Sequence, residues 1–243
     1  MKILYFVHGF PPSIGAGAIN AHTIVDFLNK FGHEVMVLSP GVFSRISENF
    51  NINNLLKSGL QVKYSSRLFK IPFNLVFSHI ENMIRYLLII RKFFTPNIII
   101  SQYQAYQYSS VVANYVSKIL KVPHIIRSHD VFFSTHDFPS KLKILHSLSY
   151  PMIFKSIYNC NIFYSPSTEI ISYLKSFKKL QTINFKVHHN GVDTSKFYPF
   201  ENQEELKEKY GCENIILHVG TIAKGFGIHN IINVLPEILK LHK

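Results

Sequence analysis

Only two cysteines occur among the 243 residues. Cys160 and Cys212 stand far apart with no CxxC spacing, so neither a disulfide framework nor a zinc site is indicated. Acidic residues are also scarce, with 14 Asp and Glu against 26 Lys and Arg, for a formal net charge of +12. No uncharged apolar run reaches the length of a membrane-spanning helix. The best stretch, Met83 to Ile100, is interrupted by Arg85, Arg91, Lys92 and Pro96. Repeats and low-complexity tracts are missing. So are RNP, KH and helix-turn-helix patterns, and the cations are scattered rather than interleaved with aromatics in one stripe, so nucleic acid is not an expected partner. The apolar N-terminus, Met1 to Val7, is too short for a signal peptide. His8-Gly9-Phe10-Pro11-Pro12 follows it in place of a small-residue cleavage site. It reads as a buried first strand, and the chain as cytoplasmic.

What is present is a hydrophobic fraction of 47%, ample for a globular core. The length suits one large domain or two small ones. Charge is unevenly spread: residues 1–200 carry 21 Lys and Arg against 8 Asp and Glu, whereas residues 201–243 carry 5 against 6. The basic field therefore belongs to the first part. Such a field attracts anionic membranes, nucleic acid or phosphorylated substrates, or serves solubility alone. Arg85, Arg91 and Lys92 beside an apolar helix over Asn74–Phe94 make peripheral contact with an anionic inner membrane surface a further expectation.

Apolar spacing predicts strands at Lys2–His8, Glu34–Ser39, Leu60–Tyr64, Asn97–Ser101, His124–Ser128, Asn161–Ser165 and Phe185–His189. Helices are predicted at Gly17–Phe31, Asn74–Phe94, Tyr108–Leu120, Lys141–Asn159 and Thr168–Phe177. Gly32 is placed as a C-cap and Ser167 as an N-cap. Strands alternating with helices imply an α/β, Rossmann-like doubly wound parallel sheet with helices on both faces. The composition shifts near Phe200. Residues 1–200 are therefore read as one domain. Residues 201–243 are read as a linker and the opening βα unit of a second α/β domain, built on a strand Ile215–Val219. One such unit cannot bury both faces of a parallel sheet, so this second domain is expected to be incomplete and poorly packed.

Four segments carry chemistry. Pro11-Pro12-Ser13-Ile14-Gly15-Ala16-Gly17 links the first strand to the first helix. In an open α/β sheet ligands bind beyond the carboxyl ends of the strands, and a small-residue loop there admits a phosphate to the backbone and to a helix N-terminus. A tight turn explains the glycines equally well. Arg127-Ser128-His129-Asp130 closes another strand, where an imidazole can reach a sugar or phosphate, or else pack beneath a loop. His189-Asn190-Gly191-Val192-Asp193 leads to Phe197-Tyr198-Pro199; Asn-Gly alone is a turn signal, but the longer arrangement is more particular. Gly220-Thr221 precedes Lys224-Gly225, where a lysine at a helix N-terminus can pair with a diphosphate or remain a solvated surface cation.

In order and spacing these segments resemble the retaining GT-B-fold glycosyltransferases of family 4. The resemblance rests on Pro12-Ser13-Ile14-Gly15-Ala16 with Leu28 and Gly32-His33-Glu34-Val35. It continues through Pro123 to Ser128 with His129-Asp130, and Ser165-Pro166-Ser167. Asn190-Gly191-Val192-Asp193 with Phe197 and Pro199, and Val219-Gly220 with Lys224-Gly225 and Ile231-Ile232, complete it. It spans the chain from end to end.

The resemblance implies transfer of a sugar from a nucleotide-sugar donor to an acceptor, a glycan or lipid-linked glycan, with retention at the anomeric carbon. It implies no required metal and no cofactor beyond the donor substrate. Carried over by position, Gly15, Ala16 and Gly17 would approach the donor diphosphate and His129 would face the transferred sugar. Asn190 would shape the crevice, with Gly220 and Thr221 opening the donor-side turn and Lys224 neutralising the leaving diphosphate. Ala16 stands where the family has a second glycine. Thr221 stands where it has an arginine, removing a charge-assisted contact worth roughly 1.5–3 kcal/mol. The family's later glutamates have no counterpart here, so these residues alone are expected to be inactive. A non-catalytic module binding a glycan, lipid or partner protein is the other reading of the same fold.

Overall fold

The computed structural model describes residues 1–10, 16–39, 42–45, 80, 84, 87, 90–103, 108–128, 150–199, 203–211, 215–220, 222 and 227–241. The chain divides into two compact units, Met1–Asn190 and Gly191–Lys243.

Among the described residues the first unit has seven strands: β1 Lys2–Phe6, β2 Glu34–Ser39, β3 Val42–Arg45, β4 Ile98–Tyr103, β5 His124–Ser128, β6 Ile162–Ser165 and β7 Phe185–Val187. Their order in the sheet is β3-β2-β1-β4-β5-β6-β7. All pairs are parallel except β2 with β3, which is antiparallel. From β1 the chain first builds outward through β2 and then returns to lay β4 on the other side, so the order reverses between β1 and β4. Among the described residues its longer helices are α1 Ala16–Lys30, α2 Ser109–Leu120, α3 over residues 150–158, and α4 Thr168–Lys175.

β1 shows why the sheet is covered on both sides. Residues 3–7 are all buried, as expected of a central parallel strand. Alternate side chains leave on opposite faces. Ile3, Tyr5 and Val7 pack with Ala21 and Val25 of α1, while Leu4 and Phe6 pack with Val112, Ala113 and Val116 of α2 and with Phe94. A third cluster joins Ile126 of β5 and Phe163 of β6 to Ile153 and Ile157 of α3 and to Ile170 and Leu174 of α4. Full burial of side chains this size contributes roughly 1.5–3 kcal/mol each.

The predicted caps are in place. Gly32 takes φ 76°, and the His33 amide reaches back to the Leu28 carbonyl at 3.0 Å, which closes α1 in a left-handed turn. The Ser167 hydroxyl accepts from the amides of Glu169 and Ile170 at 3.2 and 3.5 Å, opening α4.

Two features depart from the sequence reading. β3, a short antiparallel edge, was not expected from the sequence. The predicted strand Leu60–Tyr64 lies outside the described residues, as does most of the predicted helix Asn74–Phe94. Ile215–Val219 is not a strand: it joins no ladder among the described residues, and Leu217 and Val219 are 78% and 84% exposed. An extended segment becomes a strand only when a neighbour takes its backbone hydrogen bonds, and the described part of this unit provides none. The described helices of the second unit are α5 Gln203–Tyr210 and α6 Ile228–Leu241, the latter containing Pro236. Among the described residues no helix is long and apolar enough to cross a membrane.

Candidate functional site

The carboxyl ends of β1, β4 and β5 meet where the strand order reverses, the place at which an open α/β sheet offers a crevice. α1 begins there, at Ala16. The side chain of Ala16 is exposed, and the carbonyl of Gly17 accepts a hydrogen bond from Gln102 Nε2 at 3.1 Å. Gln102 is wholly buried near the end of β4 and lies in register with Arg127 of β5. Gln102 thus ties the start of α1 to β4.

Arg127 is the centre of the cluster. It is only 8% exposed. One guanidinium nitrogen, Nη1, donates to Asn20 Oδ1, and the other, Nη2, donates to Asn190 Oδ1 at 3.1 Å. Asn20 Nδ2 also donates to Asn190 Oδ1, at 3.1 Å. Asn20 lies one turn into α1. Asn190 lies just beyond β7, in a segment held to β6 by the His188 amide on the Ser165 carbonyl at 2.8 Å. Three elements distant in sequence therefore converge on one cation.

Burial governs the titration here. The Tyr5 hydroxyl, wholly buried on β1, is pushed up to about 12 by desolvation, and the nearby positive charge of Arg127 opposes that rise. The two do not form a hydrogen bond of good geometry. Arg127 is drawn below its ordinary value by its own desolvation, with Tyr5 acting in the other direction, yet a guanidinium stays charged at any physiological pH. His8, just past β1, is lowered by burial and favours its neutral form. A guanidinium beside the N-terminus of α1 gives this end of the sheet a positive field suited to an anionic or oxygen-rich ligand. Among the described residues no group of three or more His, Cys, Asp or Glu is placed to hold a metal ion.

Of the residues expected at the site, Ala16, Gly17 and Asn190 lie at this end of the first unit. Gly220 belongs to the second unit, exposed at the close of the 215–219 segment. Gly15, His129, Thr221 and Lys224 lie outside the described residues. The sequence reading missed Asn20 and Gln102, and singled out the segment of Arg127 for its imidazole rather than its guanidinium. A signal was present. Gln102 and Arg127 each stand near the carboxyl end of a strand whose start is apolar, Ile98 to Ile100 and Ile125 to Ile126, and polar residues at that end of an α/β sheet lie beside its ligand crevice.

The family model described as Glycosyltransferase Family 4 matches residues 18–196. Solved structures that share the fold include the following three. Sucrose-phosphate synthase from Thermosynechococcus elongatus aligns at TM-score 0.62 and 13% identity, covering 98% of this chain and 60% of that one. HepE from Anabaena, solved in complex with UDP, aligns at 0.55 and 14%, covering 98% and 58%. The catalytic domain of starch synthase IV from Arabidopsis thaliana, bound to ADP and acarbose, aligns at 0.58 and 11%, covering 99% and 66%. The chain thus spans about 60% of the length of the first of these. No curated protein sequence matches. With a family match over most of its length, on a Rossmann-like α/β unit of the GT-B kind, the chain belongs to glycosyltransferase family 4.

Proposed function

We propose that the protein transfers a sugar from a nucleotide-sugar donor to a glycan or lipid-linked glycan acceptor, with retention at the anomeric carbon and without a metal. The first unit would hold the acceptor and the second the donor nucleotide. The observation that carries this reading is the convergence of Asn20, Arg127 and Asn190 at the carboxyl ends of the strands, within the segment matched by the family. A guanidinium and carboxamides in that position suit an oxygen-rich substrate. The UDP of HepE and the ADP and acarbose of starch synthase IV support the choice of nucleotide sugar as donor class. His129 would act on the sugar side and Lys224 on the leaving diphosphate. The site of action is proposed to be cytoplasmic, with the basic first unit resting on an anionic membrane through weak, salt-sensitive attraction.

Calorimetry and turnover with a panel of UDP-, ADP- and GDP-linked sugars, on the longest natural form of the protein, test the reading. Binding of at least one sugar nucleotide with sugar transfer, and an anomeric configuration unchanged by NMR, is the expected result. Failure of every sugar nucleotide to bind at millimolar concentration refutes it.

A further inference from the structure

We propose that Arg127 and Asn20 are positioning residues that lock the Asn190 carboxamide, at the end of the first unit, with its NH2 group turned outward as a fixed hydrogen-bond donor. The oxygen of Asn190 accepts from two donors, Asn20 Nδ2 and Arg127 Nη2, both at 3.1 Å. A carboxamide oxygen has two lone pairs, so its accepting capacity is used. Turning the amide over would set its NH2 against a guanidinium and another NH2, three donor groups without an acceptor, so only one orientation is tenable.

The holding groups are themselves held. Arg127 belongs to β5 and is buried, and its second nitrogen is bound to Asn20 Oδ1. Asn20 sits inside α1 and uses both ends of its amide, accepting from Arg127 and donating to Asn190. The three side chains therefore close a ring of hydrogen bonds that joins α1, β5 and the segment after β7. Asn190 is nonetheless exposed, and its Nδ2 makes no hydrogen bond to a described residue. The first unit ends at this residue. The ring thus fixes the point from which the chain leaves the sheet, and presents a donor to an oxygen atom of bound substrate. That last role rests on the function proposed above; the anchoring does not.

Nitrogen-15 relaxation of the Asn190 side-chain amide and the Gly191 backbone amide tests the anchor. In the unsubstituted protein both should show order parameters near the rigid limit of about 0.85, falling below about 0.6 in Asn20→Ala while the amides of β5 and β6 stay rigid. Arg127→Lys, which keeps a charge but loses the fork, should lie between. A mobile Asn190 in the unsubstituted protein overturns the proposal. So does a loss of order in Asn20→Ala that spreads equally through β5 and β6. The substrate role is read in turnover. Asn20→Ala and Asn190→Ala should each lower kcat/KM about fivefold to tenfold, the worth of one neutral hydrogen bond, and the double variant should be no worse than Asn190→Ala alone. Additive losses overturn it, because residues acting through one group do not add. Absence of turnover in the longest natural form of the unsubstituted protein counts against the transfer reading, while the relaxation result still decides the anchor.

Discussion

Ser101 Oγ and His124 Nε2 lie 2.8 Å apart on neighbouring strands, with both residues wholly buried. The other ring nitrogen of His124, Nδ1, has no hydrogen-bond partner. Protonating this ring would place a charge in the core, and burial accordingly pulls its pKa down to about 3 from an ordinary 6.5. The folded value lies below the unfolded one, so the unfolded chain binds the extra proton between them. The contribution to stability is therefore fully present above about pH 6.5 and is lost as pH falls toward 3, at up to about 1.4 kcal/mol per pH unit. His8, also lowered by burial, adds in the same direction. Urea midpoints between pH 7 and pH 4 should fall in the unsubstituted protein and fall less steeply in His124→Gln. Parallel slopes in the two would show that His124 is not the titrating group.

Gly32 ends α1 with φ 76° and open space around the position of a Cβ. Gly32→Ala therefore meets no clash, only the cost of a left-handed backbone, about 1–2 kcal/mol. Gly32→Asn should cost less, because asparagine tolerates that region. At Ser167 the lost quantity is instead a cap, and Ser167→Ala should cost about 1 kcal/mol. Chemical denaturation of the three variants checks both values. An alanine at position 32 without effect would mean that this turn relaxes to another conformation.

How much was legible follows from what each segment has to bury. β2 and β5 were placed at their observed bounds because Glu34–Ser39 and His124–Ser128 carry the compact apolar runs of central strands, bounded by turn residues. α1 announced itself by Ile24, Phe27, Leu28 and Phe31 at helical spacing, although Phe27 and Phe31 prove exposed. β3 was missed because Val42-Phe43-Ser44-Arg45 is four residues long and at an edge, where pairing with β2 makes the strand. Ile215–Val219 misled in the opposite way: its apolar run satisfies the pattern of a buried strand, but a pattern does not provide a partner. At the site, Asn190 was legible from its surroundings in sequence. Its link to Asn20 was not, because a hydrogen bond across 170 residues leaves no local trace.

The exposed backbone of the 215–219 segment has a consequence for dynamics. With no ladder bonds among the described residues, its amides should exchange within seconds, whereas those of β1, β4 and β5 should be the slowest in the chain. Hydrogen exchange followed by mass spectrometry distinguishes the regions directly. Protection of residues 215–219 equal to that of β4 would mean that the segment pairs with a strand in solution, and its concentration dependence would show whether that strand comes from a second copy.

In the proposed reaction His129 and Lys224 act on different parts of the donor, the sugar and the diphosphate. His129 is the residue after Ser128, the last of β5, and β5 ends at the cluster around Arg127. An imidazole following that strand is suited to hydrogen-bond a sugar hydroxyl or the charge that develops as the glycosidic bond breaks. Lys224 precedes α6, which opens at Ile228. In its proposed role this cation would add to the positive end of the helix dipole, and the two together would stabilise an anionic leaving group. The roles make different kinetic predictions. If His129 holds its proposed place, His129→Ala should lower kcat about tenfold to a hundredfold while leaving nucleotide affinity within about threefold, because the proposed contact is made chiefly in the transition state. Lys224→Ala should weaken both nucleotide binding and kcat, because the diphosphate is anionic in the ground state and more so as it departs. Measuring kcat by turnover and nucleotide affinity by calorimetry, in the longest natural form of the protein, separates the two. An unimpaired His129→Ala variant would remove His129 from the site, and full nucleotide affinity in Lys224→Ala would place the diphosphate elsewhere.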